Sequence, residues 1–192
     1  MKTSIKVLFA AILMIQGLGL KAQNTTGVYL TENDYKDHKL TYASNTDKIQ
    51  LNEFFGGNTI AVVNEGKKVN LNKNQIFGYR LANQDYRFYN NTAYKIIDTA
   101  GFTIYSREKL TQQAKGYAPV VKYFYSVNNK QAVKDLTVAN LTASFPKATD
   151  FRYSLQNNFR NDAELASYDK VAKQYEVKYL YFAHKSVIAN NQ

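Results

Sequence analysis

Short strand-like runs follow one another from Gly27 to Val127 with only turn residues between them. The runs are rich in tyrosine, valine, isoleucine and phenylalanine, which favour strands, and asparagine or glycine marks the connections. These connections are too short for the crossover helices that a parallel sheet needs. The pattern therefore predicts an antiparallel β-meander of about seven or eight strands, as a curled sheet or a partly open barrel. Its clearest predicted strands are residues 59–63, 67–71, 75–81, 85–89, 93–98, 102–106 and 117–127.

The period of the apolar residues then changes and predicts two or three C-terminal helices. Thr137 and Thr149 are the predicted N-caps of the first two. After Asn161 the apolar positions are spaced by three and four residues, which predicts a long final helix. This apolar stripe could pair the helix with another chain, but we favour packing against the sheet, which gives an α+β fold. The stripe consists of Leu165, Tyr168, Ala172, Tyr175, Tyr179 and Phe182.

The first 22 residues have the features of a secretory signal peptide. Two lysines precede an apolar run at residues 7–20, and the small residue Ala22 suits a cleavage site. The run is shorter than the roughly 20 residues that span a bilayer, which favours a cleaved signal over a membrane anchor. We therefore expect a protein that is exported to the periplasm or the extracellular medium and does not span the membrane. The expected division is a signal peptide at 1–22 and a single mature domain at 23–192, strand-rich at about 23–129 and helical at about 135–185.

The chain contains no cysteine, which excludes disulfides, thiol nucleophiles and thiolate metal ligands. Its net charge is +10, and loss of the signal segment, which carries three lysines and no acid, lowers it to +7. Basic residues are scattered, with no run longer than Lys67-Lys68. We therefore expect weak contacts with acidic surfaces and no nucleic-acid partner.

Several segments resemble a group of exported proteins of the Bacteroidota that has no assigned activity. The resemblance covers most of the mature chain and implies an envelope or secreted setting in a Gram-negative bacterium. It provides no catalytic motif to carry over. The segments are GVYLT (27–31), KNQIFGYR (73–80), DYRFY (85–89), YKII (94–97), and a C-terminal part from DLT (135–137) through FP (145–146) to YD (168–169).

No residue pattern in the chain specifies a catalytic site, a metal site or a cofactor. His38 and His184 have no second histidine at ligand spacing, and no serine lies in a nucleophile elbow, although a triad of distant residues stays open. Two carboxylates flanking a sugar bond could make a glycosidase. The closest acidic pairs are better explained as helix starts; they are Asp34 with Asp37 and Asp162 with Glu164.

Tyrosine is unusually abundant, with sixteen residues beside eleven phenylalanines and no tryptophan. Alternation along a strand places Tyr86 with Phe88 on one face and Arg87 with Tyr89 on the other. An exposed row of this kind could stack on sugar rings or pack on a partner protein. The simpler interpretation, which we favour, is half-buried tyrosine with its hydroxyl at the rim. The candidate binding residues are Tyr79, Arg80, Tyr86, Arg87, Tyr89, Tyr123 and Tyr125.

Three functions follow as hypotheses. The leading one is a non-enzymatic secreted or periplasmic module that binds a protein partner or a glycan through a tyrosine-rich sheet face. The alternatives are an acid-based hydrolase of envelope polymers and a structural protein that self-associates through the final helix. Asp98-Thr99-Ala100 also matches a short pattern at which proteins of the resembled group carry O-linked glycans, so Thr99 is a candidate modification site. The sequence does not predict the oligomeric state.

Overall fold

The computed structural model describes residues 26–44, 49–51, 57–64, 66–113 and 116–184. The predicted signal peptide lies outside the described residues. The described part has the predicted α+β fold, with a large antiparallel sheet that is not closed and helices at its C-terminal end. Within these ranges no helix has the length and apolar character needed to cross a membrane.

Eight strands form the main sheet, and the sequence neighbours from β6 to β11 follow one another as a meander. The order across the sheet is β11-β10-β9-β8-β7-β6-β1-β2. These strands are β1 (Thr26–Tyr29), β2 (Thr41–Ser44), β6 (Gly78–Leu81), β7 (Gln84–Tyr89), β8 (Thr92–Asp98), β9 (Thr103–Gln113), β10 (Gly116–Ser126) and β11 (Lys134–Asp135).

Two tight turns fix the register of β6, β7 and β8. The turn residues Ala82 and Asn83 have φ values of 49° and 64°, and Asn90 and Asn91 have φ values of 47° and 60°. Two consecutive left-handed residues are the signature of type I′ turns, whose twist matches that of the flanking strands. Asparagine tolerates this conformation better than most residues. The asparagine-rich connections therefore bring the three tyrosine-bearing strands into pairing.

One row of paired residues crosses five strands of the sheet. Tyr79 lies opposite Tyr86, which lies opposite Lys95. Lys95 in turn lies opposite Ser106, and Ser106 opposite Tyr123. Directly paired residues project to the same side of a sheet. All five side chains therefore share one face, which we call the inner face; the opposite one is the outer face.

A small sheet covers one end of the inner face. Its strands are β3 (Ile49–Leu51), β4 (Thr59–Asn64) and β5 (Lys67–Asn72), paired in that order. Ile60 and Val62 of β4 share a buried cluster with Tyr79. The β4–β5 pair is the hairpin that the runs at 59–63 and 67–71 predict.

Helices cover the other end of the inner face, where Phe151, Leu155 and Val177 cluster with Ile104 and Tyr125. After the early helix α1 (Glu32–Lys36), the helices are α2 (Val138–Ser144), α3 (Thr149–Asn158), a 3₁₀ turn (Asp162–Ala166) and α4 (Glu176–Ala183).

The predicted cap of α2 is confirmed and that of α3 is wrong. The Thr137 hydroxyl accepts a hydrogen bond from the backbone N–H of Asn140 (3.1 Å). Thr149 is instead the first helical residue of α3, after Ala148, which makes no side-chain cap. The helix buries Phe151 and Leu155.

The prediction of a long final helix is wrong. Tyr168 and Tyr175 belong to a two-stranded hairpin, β12 (Tyr168–Asp169) and β13 (Gln174–Tyr175), and their rings lie 5.0 Å apart. Asp169 explains the break, because its carboxylate accepts hydrogen bonds from the backbone N–H groups of Val171 (2.7 Å) and Ala172 (2.9 Å) and so competes with helix formation. Lys173 then adopts a left-handed φ of 51°. Seven-residue spacing of two tyrosines fits a hairpin as well as a helix.

Two predicted strands have other bounds. The run at 75–81 becomes strand only at Gly78, because residues Lys73–Gln75 form a 3₁₀ turn capped by the side chain of Asn72. The run at 102–106 continues to Gln113 as an eleven-residue strand, which forms a hairpin with the eleven-residue strand β10.

Candidate functional site

A cleft of about 640 Å³ opens on the inner face of the main sheet. Its floor is the cross-strand row, from Tyr79 to Tyr123. Glu108 and Val121 extend the floor along β9 and β10, and Tyr175 of β13 contributes a third aromatic wall. The cleft is therefore formed by the main sheet and the β12–β13 hairpin.

The floor alternates aromatic and polar side chains. Tyr86 and Tyr123 are partly buried, with Lys95 and Ser106 at the two pair positions between them. Neighbouring strands lie about 4.8 Å apart, so three strand steps separate the two tyrosines by roughly 14 Å. This geometry offers two aromatic surfaces with hydrogen-bonding groups between them.

Tyr79 supports Tyr86 from below the cleft. The two rings are stacked with centroids 4.7 Å apart and planes 3° from parallel. Tyr79 is only 2% exposed and also contacts Phe88, at 5.3 Å between centroids. Tyr79 thus belongs to the core and orients Tyr86.

Tyr175 is held at the edge of the cleft by its hairpin. Its ring packs edge-on against Tyr168, and burial raises the pKa of its hydroxyl, with smaller contributions from Tyr123 and Asp98. The hydroxyl is therefore neutral at physiological pH and can both donate and accept hydrogen bonds.

Two exposed charges of opposite sign lie in the cleft lining. Lys95 comes from β8 and Glu108 from β9. Neither forms an ion pair with another described residue. Lys95 provides hydrogen-bond donors and Glu108 provides acceptors, so a ligand with several hydroxyl groups could satisfy both.

The predicted tyrosines fall into two groups. Tyr79, Tyr86 and Tyr123 line the cleft, as stated above. Tyr125 does not, because it is fully buried under α2, where its hydroxyl donates to the carbonyl oxygen of Asn140 (2.6 Å) and lies 2.7 Å from the Ser144 hydroxyl. Tyr125 therefore anchors a helix.

Arg80, Arg87 and Tyr89 lie on the outer face, away from the cleft. Arg80 makes a two-point ion pair with Asp85, with 2.7 Å between each pair of atoms. The Tyr29 hydroxyl donates to the same carboxylate (2.8 Å). The charge of Arg80 is therefore already matched by Asp85. Because the two residues lie opposite each other on β6 and β7, their ion pair contributes to the pairing of these strands.

Arg87 is only 5% exposed, and no carboxylate among the described residues pairs with it. Its guanidinium donates to the hydroxyls of Tyr105 (2.9 Å) and Ser126 (3.0 Å) and to the carbonyl oxygen of Gln131 (2.9 Å). It also lies 5.8 Å from the ring centroid of Tyr89. Neutral acceptors and aromatic rings thus stabilise a buried charge that ties the loop after β10 to the sheet.

Sequence reasoning missed Lys95, Ser106, Glu108 and Tyr175. The turn at Asn90-Asn91 could have revealed Lys95, because it aligns Tyr86 with Lys95. The place of Ser106 depends on the β8–β9 register, which shifts between Ile96 and Asp98. The place of Tyr175 depends on the hairpin that replaces the predicted helix, and no local pattern signalled it.

Thr99 lies in an exposed turn between β8 and β9. The neighbouring Asp98 carboxylate accepts a hydrogen bond from the backbone N–H of Ala100 (2.8 Å). The O-glycosylation of Thr99 stays a prediction.

Three of the four acids considered for hydrolysis accept hydrogen bonds from backbone N–H groups. Asp34 accepts from the backbone N–H of Thr31 (2.9 Å), Asp162 from that of Val138 (2.8 Å), and Glu164 from that of Arg160 (2.8 Å). Among the described residues that line the cleft, Glu108 is the sole carboxylate.

One serine and one histidine do meet, outside the cleft. The Ser154 hydroxyl lies 2.8 Å from Nε2 of His184. No described carboxylate bonds to the other ring nitrogen, so the pair lacks the third member that orients a catalytic histidine. The described residues also hold no group of three or more metal-ligating side chains.

Comparisons with family models, curated proteins and solved structures give no match to this chain.

Proposed function

We propose that this chain is a non-enzymatic binding module that holds a glycan chain in the tyrosine-lined cleft. The observation that carries the proposal is the row Tyr86, Lys95, Ser106, Tyr123 on the cleft floor. Sugar rings have apolar faces that pack on aromatic rings and hydroxyls around their edges that need hydrogen-bond partners. The row supplies both kinds of contact in one line.

The length of the row favours an oligosaccharide over a single sugar. Tyr86 and Tyr123 are about 14 Å apart, so one ring could not contact both. A chain that runs across the strands would place one sugar on each tyrosine, with Lys95 and Ser106 below the sugar between them. Tyr175 would contact the chain from the side.

Export forms part of the same proposal. The signal-peptide features of residues 1–22 support action in the periplasm or the extracellular medium, as does the resemblance to exported proteins of the Bacteroidota. Envelope glycans and secreted polysaccharides are the ligands that such a module would meet.

The alternative of an acid-based hydrolase has less support. A glycosidase needs a second carboxylate across the bond from the first, at about 5–10 Å, and Glu108 has no such partner among the described cleft residues. Self-association through the final helix has lost the continuous apolar stripe on which it depended.

The proposal is tested by thermal unfolding and titration calorimetry of the chain from Gln23 onward. Soluble oligosaccharides of three classes, neutral, amino and uronic, are the probes. A ligand specific to the folded state raises stability by about 2.7 kcal/mol at 100 times its Kd. We expect binding of at least one class, and calorimetry that detects none in any class would contradict the proposal.

The variants Tyr123→Leu and Tyr86→Leu test whether the glycan binds in the cleft, because each keeps apolar bulk but removes a stacking surface. Each is expected to weaken binding about tenfold. The matched control is Tyr153→Leu, which removes a 62% exposed tyrosine of α3 outside the cleft and should leave affinity unchanged.

A further inference from the structure

The hairpin of β9 and β10 extends beyond the rest of the main sheet. The last described pair between β8 and β9 is Lys95 with Ser106, whereas β9 and β10 remain paired as far as Gln113 with Gly116. On its other side, β10 pairs with β11 only at Phe124 and Tyr125. Residues 107–113 and 116–122, which we call the distal ribbon, therefore have no further strand partner among the described residues on either side.

The distal ribbon exposes apolar side chains on the inner face. Leu110 and Tyr117 are each 72% exposed and Val121 is 47% exposed. Strand alternation from Ser106 and Tyr123 puts all three on the same face as the cleft. Apolar side chains on a ribbon with two unpaired edges are typical of a place where another strand adds.

The two edges differ. Pro119 lies in the middle of β10 and lacks a backbone N–H, which interrupts any further pairing along that edge. Residues 107–113 of β9 contain no proline. The edge of β9 is therefore the one that can accept an added strand.

The charge of the ribbon indicates the partner. Arg107, Lys109 and Lys122 outnumber Glu108, and the whole chain has a net charge of +10. Two such edges from two copies of the chain would repel each other, whereas an acidic segment would be attracted. Arg107 and Lys109 lie on the outer face and Leu110 on the inner face, which suits a segment with alternating acidic and apolar residues.

We propose that the β9 edge at residues 107–113 binds an extended, acidic segment of a partner protein as an added strand. The partner's apolar side chains lie beside Leu110 and its carboxylates beside Arg107 and Lys109. The backbone groups of both strands complete a ladder, as in other cases of strand addition. This surface adjoins the cleft, whose lining includes Glu108 and Val121. The added strand pairs along the edge of β9 and needs no bound glycan, so the proposal does not depend on glycan binding.

The probe is a fluorescein-labelled peptide in which glutamate and valine alternate, titrated with the chain from Gln23 onward and followed by anisotropy. We expect binding that weakens with added salt and slows amide hydrogen exchange at 107–113. A peptide that alternates lysine and valine should bind at least tenfold more weakly. Equal binding of the two peptides, or no binding of the acidic one at millimolar concentration, overturns the proposal.

Two further experiments separate strand addition from looser contacts. The first uses the acidic peptide with a methyl group on every second backbone nitrogen, made in both registers. Methylation should abolish binding in the register whose N–H groups face β9, and binding of both peptides contradicts a shared ladder.

The second uses variants of the chain. Leu110→Gln should weaken binding about tenfold, and the matched control Val171→Gln, at a 94% exposed site, should not. If the free chain dimerises and Leu110→Gln abolishes the dimer, the occupant is a second copy and the proposed partner is wrong.

Discussion

Tyr86 and Tyr123 lie on the same face of the main sheet, three strands apart, with Lys95 and Ser106 in the pair positions between them. The arrangement requires the register of four strands to be correct at once, since a slip of one residue would turn a tyrosine to the other face. The turn at Asn90-Asn91 and the long β9–β10 hairpin fix two of the three strand pairings, and the third depends on the irregular register between β8 and β9. The cleft floor therefore depends on the turns that set the strand register as much as on the number of tyrosines.

Replacement of Arg87 by methionine should destabilise the fold by about 2–4 kcal/mol. The change removes three charge-assisted hydrogen bonds and leaves the carbonyl oxygen of Gln131 without this donor. Denaturant unfolding measures the effect. Arg160→Met is the matched control, because Arg160 is exposed and should change stability by less than about 0.5 kcal/mol. Equal stability of the two variants would show that the Arg87 network does not stabilise the fold.

Lys178 should make stability depend on pH between about 8 and 10. Its ammonium group is buried in α4, donates to the carbonyl oxygens of Ala100 (2.6 Å) and Phe102, and lies 3.4 Å from Asp98. Burial lowers the pKa of Lys178 to about 8, an effect that Asp98 opposes. Between that pKa and the unfolded value of about 10.4, the unfolded chain holds more protons, so the free energy of unfolding rises with pH.

The Lys178→Met variant isolates this contribution. The free energy of unfolding of the parent chain minus that of the variant should rise by about 2 kcal/mol from pH 8 to pH 10. Urea unfolding at several pH values gives both curves. Parallel curves would mean that Lys178 has an ordinary pKa in the folded chain.

Alkaline pH above 10 should destabilise the fold through buried tyrosines. Burial raises the pKa of Tyr35 to about 12 and also raises the pKa of Tyr94 and Tyr125. For Tyr29, burial and then the hydrogen bond to Asp85 raise the pKa further. A raised pKa in the folded state means that stability is complete below the unfolded pKa of about 10 and is lost as pH rises above it.

Ultraviolet absorbance of tyrosinate checks this expectation. The buried tyrosines should ionise together with loss of folded circular dichroism, after the exposed ones. Ionisation of all sixteen tyrosines near pH 10 with the fold intact would contradict it.

Gly78→Ala should be among the most destabilising small substitutions, at about 3 kcal/mol or more. A Cβ at this position would collide with the backbone carbonyl of Tyr86 in the paired strand β7. Gly66→Ala is the matched control, because a Cβ at Gly66 meets no atom within 4 Å. The φ of 77° at Gly66 is unfavourable for alanine, so this control should cost about 1 kcal/mol of stability. Thermal unfolding distinguishes the two, and similar Tm values would show that the main sheet can shift at Gly78.

The fold class was predictable because its signals are local. Strand runs and asparagine-rich turns gave the meander, and Thr137 gave the start of α2. The prediction of the final helix failed because Tyr168 and Tyr175 have the spacing of a helix, whereas Asp169 and Lys173 stabilise a turn between them. Periodicity identifies residues that share a face only if the chain between them is regular.

The site was predictable only in part. Tyr86 and Tyr123 were predicted because aromatic and cationic residues follow one another in their strands. That pattern could not separate them from Tyr125, whose burial depends on where the helices pack. Arg87 was a candidate binding residue, and the sequence does not show that Tyr105, Ser126 and Gln131 surround it. Contacts between residues far apart in the chain decide which aromatic side chains face a ligand.

Glycan affinity of the Lys95→Ala variant tests the central claim most directly. Lys95 is exposed, lies between Tyr86 and Tyr123 and pairs with no described acid, so its removal should leave Tm within about 1 °C of the parent. Calorimetry with the best oligosaccharide of the panel should show affinity reduced about tenfold, with unchanged affinity for the control Lys147→Ala, which removes an exposed lysine outside the cleft. Unchanged affinity for the Lys95→Ala, Tyr86→Leu and Tyr123→Leu variants would place any bound glycan elsewhere and contradict the assignment of this cleft.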